Sequence, residues 1–263
     1  GKCYWVKVYD IPEGGRAAKG RAIVNLIGCE PDEKVSAFIS VKEFNDDHYV
    51  VMATEKGMVK KTKLSAYSNP RKKGIYAVEI RDGDKLIEAR VSTGDNDILL
   101  GTRNGKSIRF SEEQIRASGR KTMGVKGITL SSEDDRLVGM LLIKREGTVL
   151  VATEKGFGKR TEISQYRAQK RGGKGVLTMK TTDKVGKMVT IKEVVDKDDL
   201  MIITNQGVLI RLPVAQIRSI GRATQGVKLI KLGEGTLVSS ITRIMSEEEE
   251  DENNNTESTE PKE

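Results

Sequence analysis

Histidine and cysteine are almost absent from this chain, and that excludes several kinds of chemistry at once. His48 is the only histidine, and Cys3 and Cys29 are the only cysteines. They are too few for a zinc ligand set or a disulfide framework, so the thiols read as structural or incidental. Aromatic residues make up 4% of the chain, which argues against the stacking platforms that single-stranded nucleic acids need. No apolar run approaches the roughly 20 residues required to span a bilayer, and no charged-then-apolar leader precedes a cleavage site. No strongly amphipathic basic helix is visible to lie on a membrane surface. The chain reads as soluble and cytoplasmic, with no membrane partner.

Charge is plentiful and unevenly placed. Residues 246–263 carry nine acidic residues against Lys262, a net of −8. The overall +8 therefore leaves +16 on residues 1–245. The tail has almost nothing to bury and is expected to be disordered. A body this basic favours a polyanionic partner.

A repeat organises the body. The segments Y-V-V-M-A-T-E-K-G (49–57), D-I-L-L-G-T-R-N-G (97–105), T-V-L-V-A-T-E-K-G (148–156) and L-M-I-I-T-N-Q-G (200–207) align on Gly57, Gly105, Gly156 and Gly207. A second series, Gly20, Gly74, Gly124, Gly175 and Gly226, keeps the same phase. The runs are short, rich in Val and Ile and bounded by Gly, Asp and Asn, which favours strands. The E-K-G, R-N-G and N-Q-G segments read as tight hairpin turns in which glycine or asparagine supplies a positive φ. Four strands per unit of about 50 residues is the signature of a bladed, propeller-like all-β fold. The units span about 1–48, 49–96, 97–147, 148–199 and 200–245. The first lacks its opening strand, as in a fragment cut inside a repeat.

The connection between the second and third strands is basic in every unit. It brings Arg16, Lys19 and Arg21 in the first; Arg71, Lys72 and Lys73 in the second; and Arg120, Lys121 and Lys126 in the third. The fourth has Q-K-R-G-G-K-G (Gln169, Lys170, Arg171, Gly172, Gly173, Lys174, Gly175), and the fifth has Arg222 and Lys228. The next connection is acidic in most units, as in 30–33, 81–84 and 131–135. In an up-and-down blade the two leave from opposite ends, which predicts one positive rim. Glycines in the basic loops permit backbone conformations closed to other residues, and they also expose N–H groups to a phosphate. Lys174 is followed by Gly175 rather than Ser or Thr, which rules out a Walker-type nucleotide loop. Duplex DNA fits the pattern: about two phosphates per loop gives a log–log salt slope of about −9. Loops spread round a ring meet straight DNA only in part, so full contact requires a curved duplex, at a bending cost of up to about 10 kcal/mol.

The heptad 169–175 resembles the gyrase A box, Q-R-R-G-G-K-G, with Lys170 in place of an arginine. Together with Y-D-I-P-E-G-G-R-A-A-K-G-R-A-I-V-N-L (9–26) and G-R-A-T-Q-G-V-K-L-I (221–230), it makes residues 1–245 similar to the DNA gyrase A C-terminal domain family. The resemblance implies a β-pinwheel, in which neighbouring blades exchange a strand and a basic perimeter wraps duplex DNA in a right-handed sense. It implies that the chain supplies chirality for negative supercoiling and no catalytic residue or cofactor of its own. ATP and Mg2+ are used elsewhere in the holoenzyme, whose other parts are an upstream breakage-reunion domain and the ATPase subunit of an A2B2 assembly. Tyr9, Tyr67 and Tyr166 sit at comparable repeat positions and read as framework residues. In that family the box belongs to the first blade, whereas here it falls in the fourth unit; it is either a second, box-like loop or a displaced anchor.

Two other readings compete. The related topoisomerase IV A-type subunit has similar blades but typically lacks an intact box. A propeller that binds an acidic protein would make the +16 incidental to nucleic acid.

Overall fold

A computed structural model describes residues 1–15, 18–30 and 33–244. Arg16 and the acidic segment 246–263, expected to be disordered, lie outside them. The described residues form strands and short 3-10 turns, with no α-helix among them. Two compact units emerge: residues 1–96 with 111–127, and residues 97–110 with the chain from Ile128 onward.

The repeated apolar runs become the inner strands of small antiparallel sheets. Tyr49–Thr54, Asp97–Thr102, Thr148–Thr153 and Asp199–Thr204 each lie between the second and fourth strands of their own repeat. They are apolar at nearly every position because both faces are covered. In the second unit, Val149 and Val151 share a core with Leu99, Leu141 and Ile191. Leu150 and Ala152, on the opposite face, pack with Leu200, Ile202 and Ile241. Each buried aliphatic side chain contributes about 1.5–3 kcal/mol. In the first unit, Val50, Met52, Leu64, Tyr67 and Val78 form the corresponding core.

The hairpins explain the threonine that closes each run. The Oγ1 atoms of Thr54, Thr102 and Thr204 accept the N–H of Met58, Lys106 and Val208 at 3.2, 3.3 and 3.1 Å. A register shift falls just before this threonine in all four sheets, where a bulge tightens the local twist. Glycine alone supplies the positive φ: Gly57, Gly105, Gly156 and Gly207 adopt 77–84°, and no other residue type does so among the described residues.

The third strands leave their own repeat. Ile75–Tyr76 pairs with Lys2–Cys3, and Val125–Lys126 with Met58–Lys63. Likewise Val176–Leu177 pairs with Lys106–Ser111, and Val227–Lys228 with Phe157–Glu162. Each repeat thus completes the sheet before it. The result is three four-stranded sheets, a last sheet of three strands and a first of two among the described residues.

Repeat 1 departs further from expectation. Lys2–Cys3 is its only strand among the described residues. Phe38 is left 79% exposed. Tyr9 is not a framework residue either: it is 77% exposed, whereas Tyr67 and Tyr166 are buried at 4% and 1%. The described residues of this repeat form no sheet over Tyr9.

Candidate nucleic-acid interface

Strand exchange places the basic loops along sheet edges. In the last three repeats the loop runs beside the second strand of the preceding repeat before it pairs. Ser118 N–H donates to Lys61 O at 2.9 Å, Gln169 N–H to Arg109 O at 2.8 Å and Ile220 N–H to Arg160 O at 2.9 Å. In the second unit, the fourth strands Leu137–Ile143, Met188–Val194 and Val238–Ile244 pack on one another. The loops 169–175 and 219–228 lie at the other edge of these sheets, along their second strands.

Two carboxylates of the acidic connections serve the fold. Asp84 accepts from Lys56 N–H at 2.9 Å and Asp135 from Asn104 N–H at 2.9 Å, so each caps the hairpin turn of its own repeat. Burial alone would raise the Asp135 carboxyl, but the Ser131 hydroxyl and the N–H groups of Asn104 and Ser131 hold it below its ordinary value.

Closing glycines mark where the chain crosses between sheets. A Cβ on Gly124, Gly175 or Gly226 would lie 2.3, 2.3 or 2.6 Å from the carbonyl oxygen of Val59, Ser107 or Gly158. All three have positive φ. Gly172 also needs its conformation, at φ 79°. Gly173 does not: its φ is ordinary, and a Cβ would meet Ile108 Cδ1 at 3.4 Å. Thr129 fixes this loop by donating its N–H to Gly173 O at 2.9 Å and its hydroxyl to Gly172 O at 2.7 Å.

Most of the sequence-predicted cations are exposed: Lys19, Arg21, Arg71, Lys72, Lys73, Lys121, Lys126, Lys170, Lys174 and Lys228. Gln169 and Arg171 are half-buried. Arg120 and Arg222, also half-buried, are tethered: Nη1 of each donates to a backbone carbonyl, of Tyr76 at 3.4 Å and of Leu177 at 2.7 Å. Lys121 sits 5.8 Å from the Tyr76 ring centroid and Lys228 5.6 Å from that of Phe157, within reach of a cation–π attraction.

Sequence reasoning missed the cations beneath the loops. Lys60 and Lys159 are 1% and 0% exposed. Lys159 Nζ donates to Gly221 O at 2.7 Å, to Thr224 Oγ1 at 3.1 Å and to Arg222 O. Lys60 Nζ reaches Ala77 O at 2.7 Å and Arg120 O. Burial, with Arg120 or Arg222 nearby, pushes both ammonium groups down to about 8. A signal was there: the same register position holds Ile108 and Ile210 in the other two repeats, marking a column turned inward. Among the described residues no cluster of His, Cys, Asp and Glu could hold a metal, and no helix is long and apolar enough to cross a membrane.

The model of a family described as DNA gyrase C-terminal domain, beta-propeller, matches residues 1–42, 48–93, 96–144, 147–194 and 198–244, one segment per repeat. The chain belongs to the DNA gyrase C-terminal domain family. It is 45% identical to the A subunit of DNA gyrase from Staphylococcus epidermidis over 251 residues, covering 94% of this chain and 28% of that protein. With the Salmonella typhimurium counterpart it shares 41% over 244 residues, covering 93% and 28%. The chain thus spans less than a third of the length of these gyrase A relatives. Among solved structures, it superimposes on the C-terminal domain of DNA topoisomerase IV with a TM-score of 0.83 at 25% identity, covering 91% of this chain and 76% of that one. A DNA gyrase A C-terminal domain gives 0.80 at 22% identity, covering 93% and 80%. Both likenesses carry the bladed fold.

Proposed function

We propose that this chain binds duplex DNA along its basic loops and curves it, giving a gyrase-type topoisomerase the handedness to introduce negative supercoils. The observation that supports this best is the repetition of one edge geometry beneath loops rich in exposed Lys and Arg. In the last three repeats the loop runs beside the preceding sheet's second strand and then pairs with it. Such cations read phosphates rather than bases, so the chain binds without strong sequence preference. Their spacing over successive sheets rewards a duplex that follows them. The chain would act within a larger assembly, beside an upstream breakage-reunion domain of its own polypeptide and a separate ATPase subunit, in the bacterial cytoplasm.

A topoisomer-shift assay tests this reading. The chain is bound to nicked circles, which are then ligated and deproteinised. A unidirectional change in linking number is expected, together with affinity that grows with duplex length and falls steeply with salt. An unshifted distribution would overturn the reading. The superposition on a topoisomerase IV domain favours one second reading, an A-type subunit of that enzyme; it predicts bending with little net wrap, and so binding without a linking-number shift.

A further inference from the structure

We propose that Lys159, and Lys60 at the same position two repeats earlier, are positioning residues that hold two basic loops in the form that receives a phosphate backbone; this rests on the DNA-wrapping reading above. The sheet itself does not require a lysine there. Ile108 and Ile210 occupy the same column in the intervening and final repeats, so an apolar side chain fits. Burying an ammonium group is costly unless it is fully hydrogen-bonded. Every hydrogen bond of Lys159 Nζ goes to the loop that crosses above it: the carbonyls of Gly221, Arg222 and Thr224 and the Thr224 hydroxyl. In the first unit, Lys60 takes the Arg120 carbonyl of its loop and also the carbonyl of Ala77, at 2.7 Å.

Two consequences favour anion binding. Carbonyls drawn in toward the ammonium keep the electronegative edge of the loop away from the side on which a phosphate approaches. The buried charge also adds positive potential beneath the loop, through a medium less screening than water. The same loops share the pattern G-R-x-T-x-G, and in both the threonine hydroxyl bonds back to the first glycine's carbonyl, Thr122 to Gly119 and Thr224 to Gly221, each at 3.0 Å. The heptad loop is built differently, with Ile108 beneath it and its glycine carbonyls taken by the neutral donors of Thr129. Buried lysine and G-R-x-T-x-G thus occur together, and both are absent where the heptad stands.

The test uses Lys159→Met in the 263-residue chain, with Thr224→Val as a milder second variant. Two quantities are measured: amide exchange across 219–226, and the salt dependence of binding to a long fluorescent duplex. In folded Lys159→Met the loop amides should exchange at least about tenfold faster, affinity should fall roughly tenfold near 0.1 M salt, and the log–log slope should flatten by about 2. Thr224→Val should move both in the same direction by less. A merely structural role would lower the active fraction and leave the slope unchanged. Unchanged exchange and slope in folded Lys159→Met overturn the proposal, and if that variant does not fold, Thr224→Val decides by the same two readouts. A wild-type chain that fails to bind duplex overturns the wrapping reading, and the positioning role falls with it.

Discussion

Lys61 Nζ lies 3.3 Å from Oε1 of Glu112, a carboxylate with no exposed surface. The same oxygen accepts from Ser92 Oγ at 2.6 Å, and the ammonium also donates to Gly94 O at 3.2 Å. The pair joins the second strand of one repeat to the turn that opens the next repeat's basic loop. In the second unit, Arg109, Arg160 and Arg211 stand in the same column and pair with Asp97, Asp196 and Asp199. Part of the body's positive charge thus serves the framework and is not offered to DNA.

Removing one partner of a buried pair leaves an uncompensated charge, at about 3–5 kcal/mol. Glu112→Ala should therefore lower the urea midpoint markedly. The double variant Lys61→Met/Glu112→Leu should recover most of the loss. If the single variant costs under about 1 kcal/mol, the pair is not what holds this junction.

The heptad's glycines should separate into fold and function. Gly175→Ala places a Cβ 2.3 Å from Ser107 O at φ 68°, combining left-handed strain with overpacking, for a loss of about 3 kcal/mol or more. Gly207→Ala, at φ 77° in open space, should lose only about 1–2 kcal/mol. Gly173→Ala should leave stability within about 0.5 kcal/mol yet weaken duplex binding, because it narrows the approach to the backbone between Lys170 and Lys174. Chemical denaturation and duplex titration of the three variants check the order.

Burial of Lys159 has a pH signature. Its ammonium, pushed down to about 8 by burial and then by Arg222, stands below the ordinary 10.5. Between those values the unfolded chain binds more protons, so stability rises with pH across that window and is flat below it. The gain attributable to Lys159 should be on the order of 3 kcal/mol. Tyr166, pushed up to about 12 by burial, acts in the opposite sense above about pH 10. Denaturation of wild type and Lys159→Met, which share Tyr166, isolates the lysine: the variant should lack the rise.

Glycine phase and apolar runs were legible because they are local requirements repeated at a fixed interval. The destination of the third strand was not legible in the period, and an exchanged strand was expected only from the family resemblance. A two-residue strand such as Val125–Lys126 has the same sequence whether it pairs at home or on the neighbouring sheet, so a period counts blades without saying how they interlock. Exchange in turn decided which cations were free. Lys60 and Lys159 lie beneath the loop of the next repeat, which takes their ammonium groups. The exposed members, Lys170 and Lys174 among them, were legible as cations in a loop whose glycines leave little room for other roles.

Lys170, Arg171 and Lys174 offer the densest charge of any loop in the second unit. If they hold the duplex to its curved path, Lys170→Ala/Arg171→Ala/Lys174→Ala should reduce end-to-end energy transfer on a doubly labelled duplex, while binding survives through the other loops. Losing about three phosphate contacts should flatten the log–log salt slope by about 3. The loop should keep its form, because Thr129 fixes it through the carbonyls of Gly172 and Gly173, which the substitutions leave in place. A variant that bends DNA as the wild type does, with the same slope, would move the anchoring role to other loops and leave the heptad without a special part in the wrap.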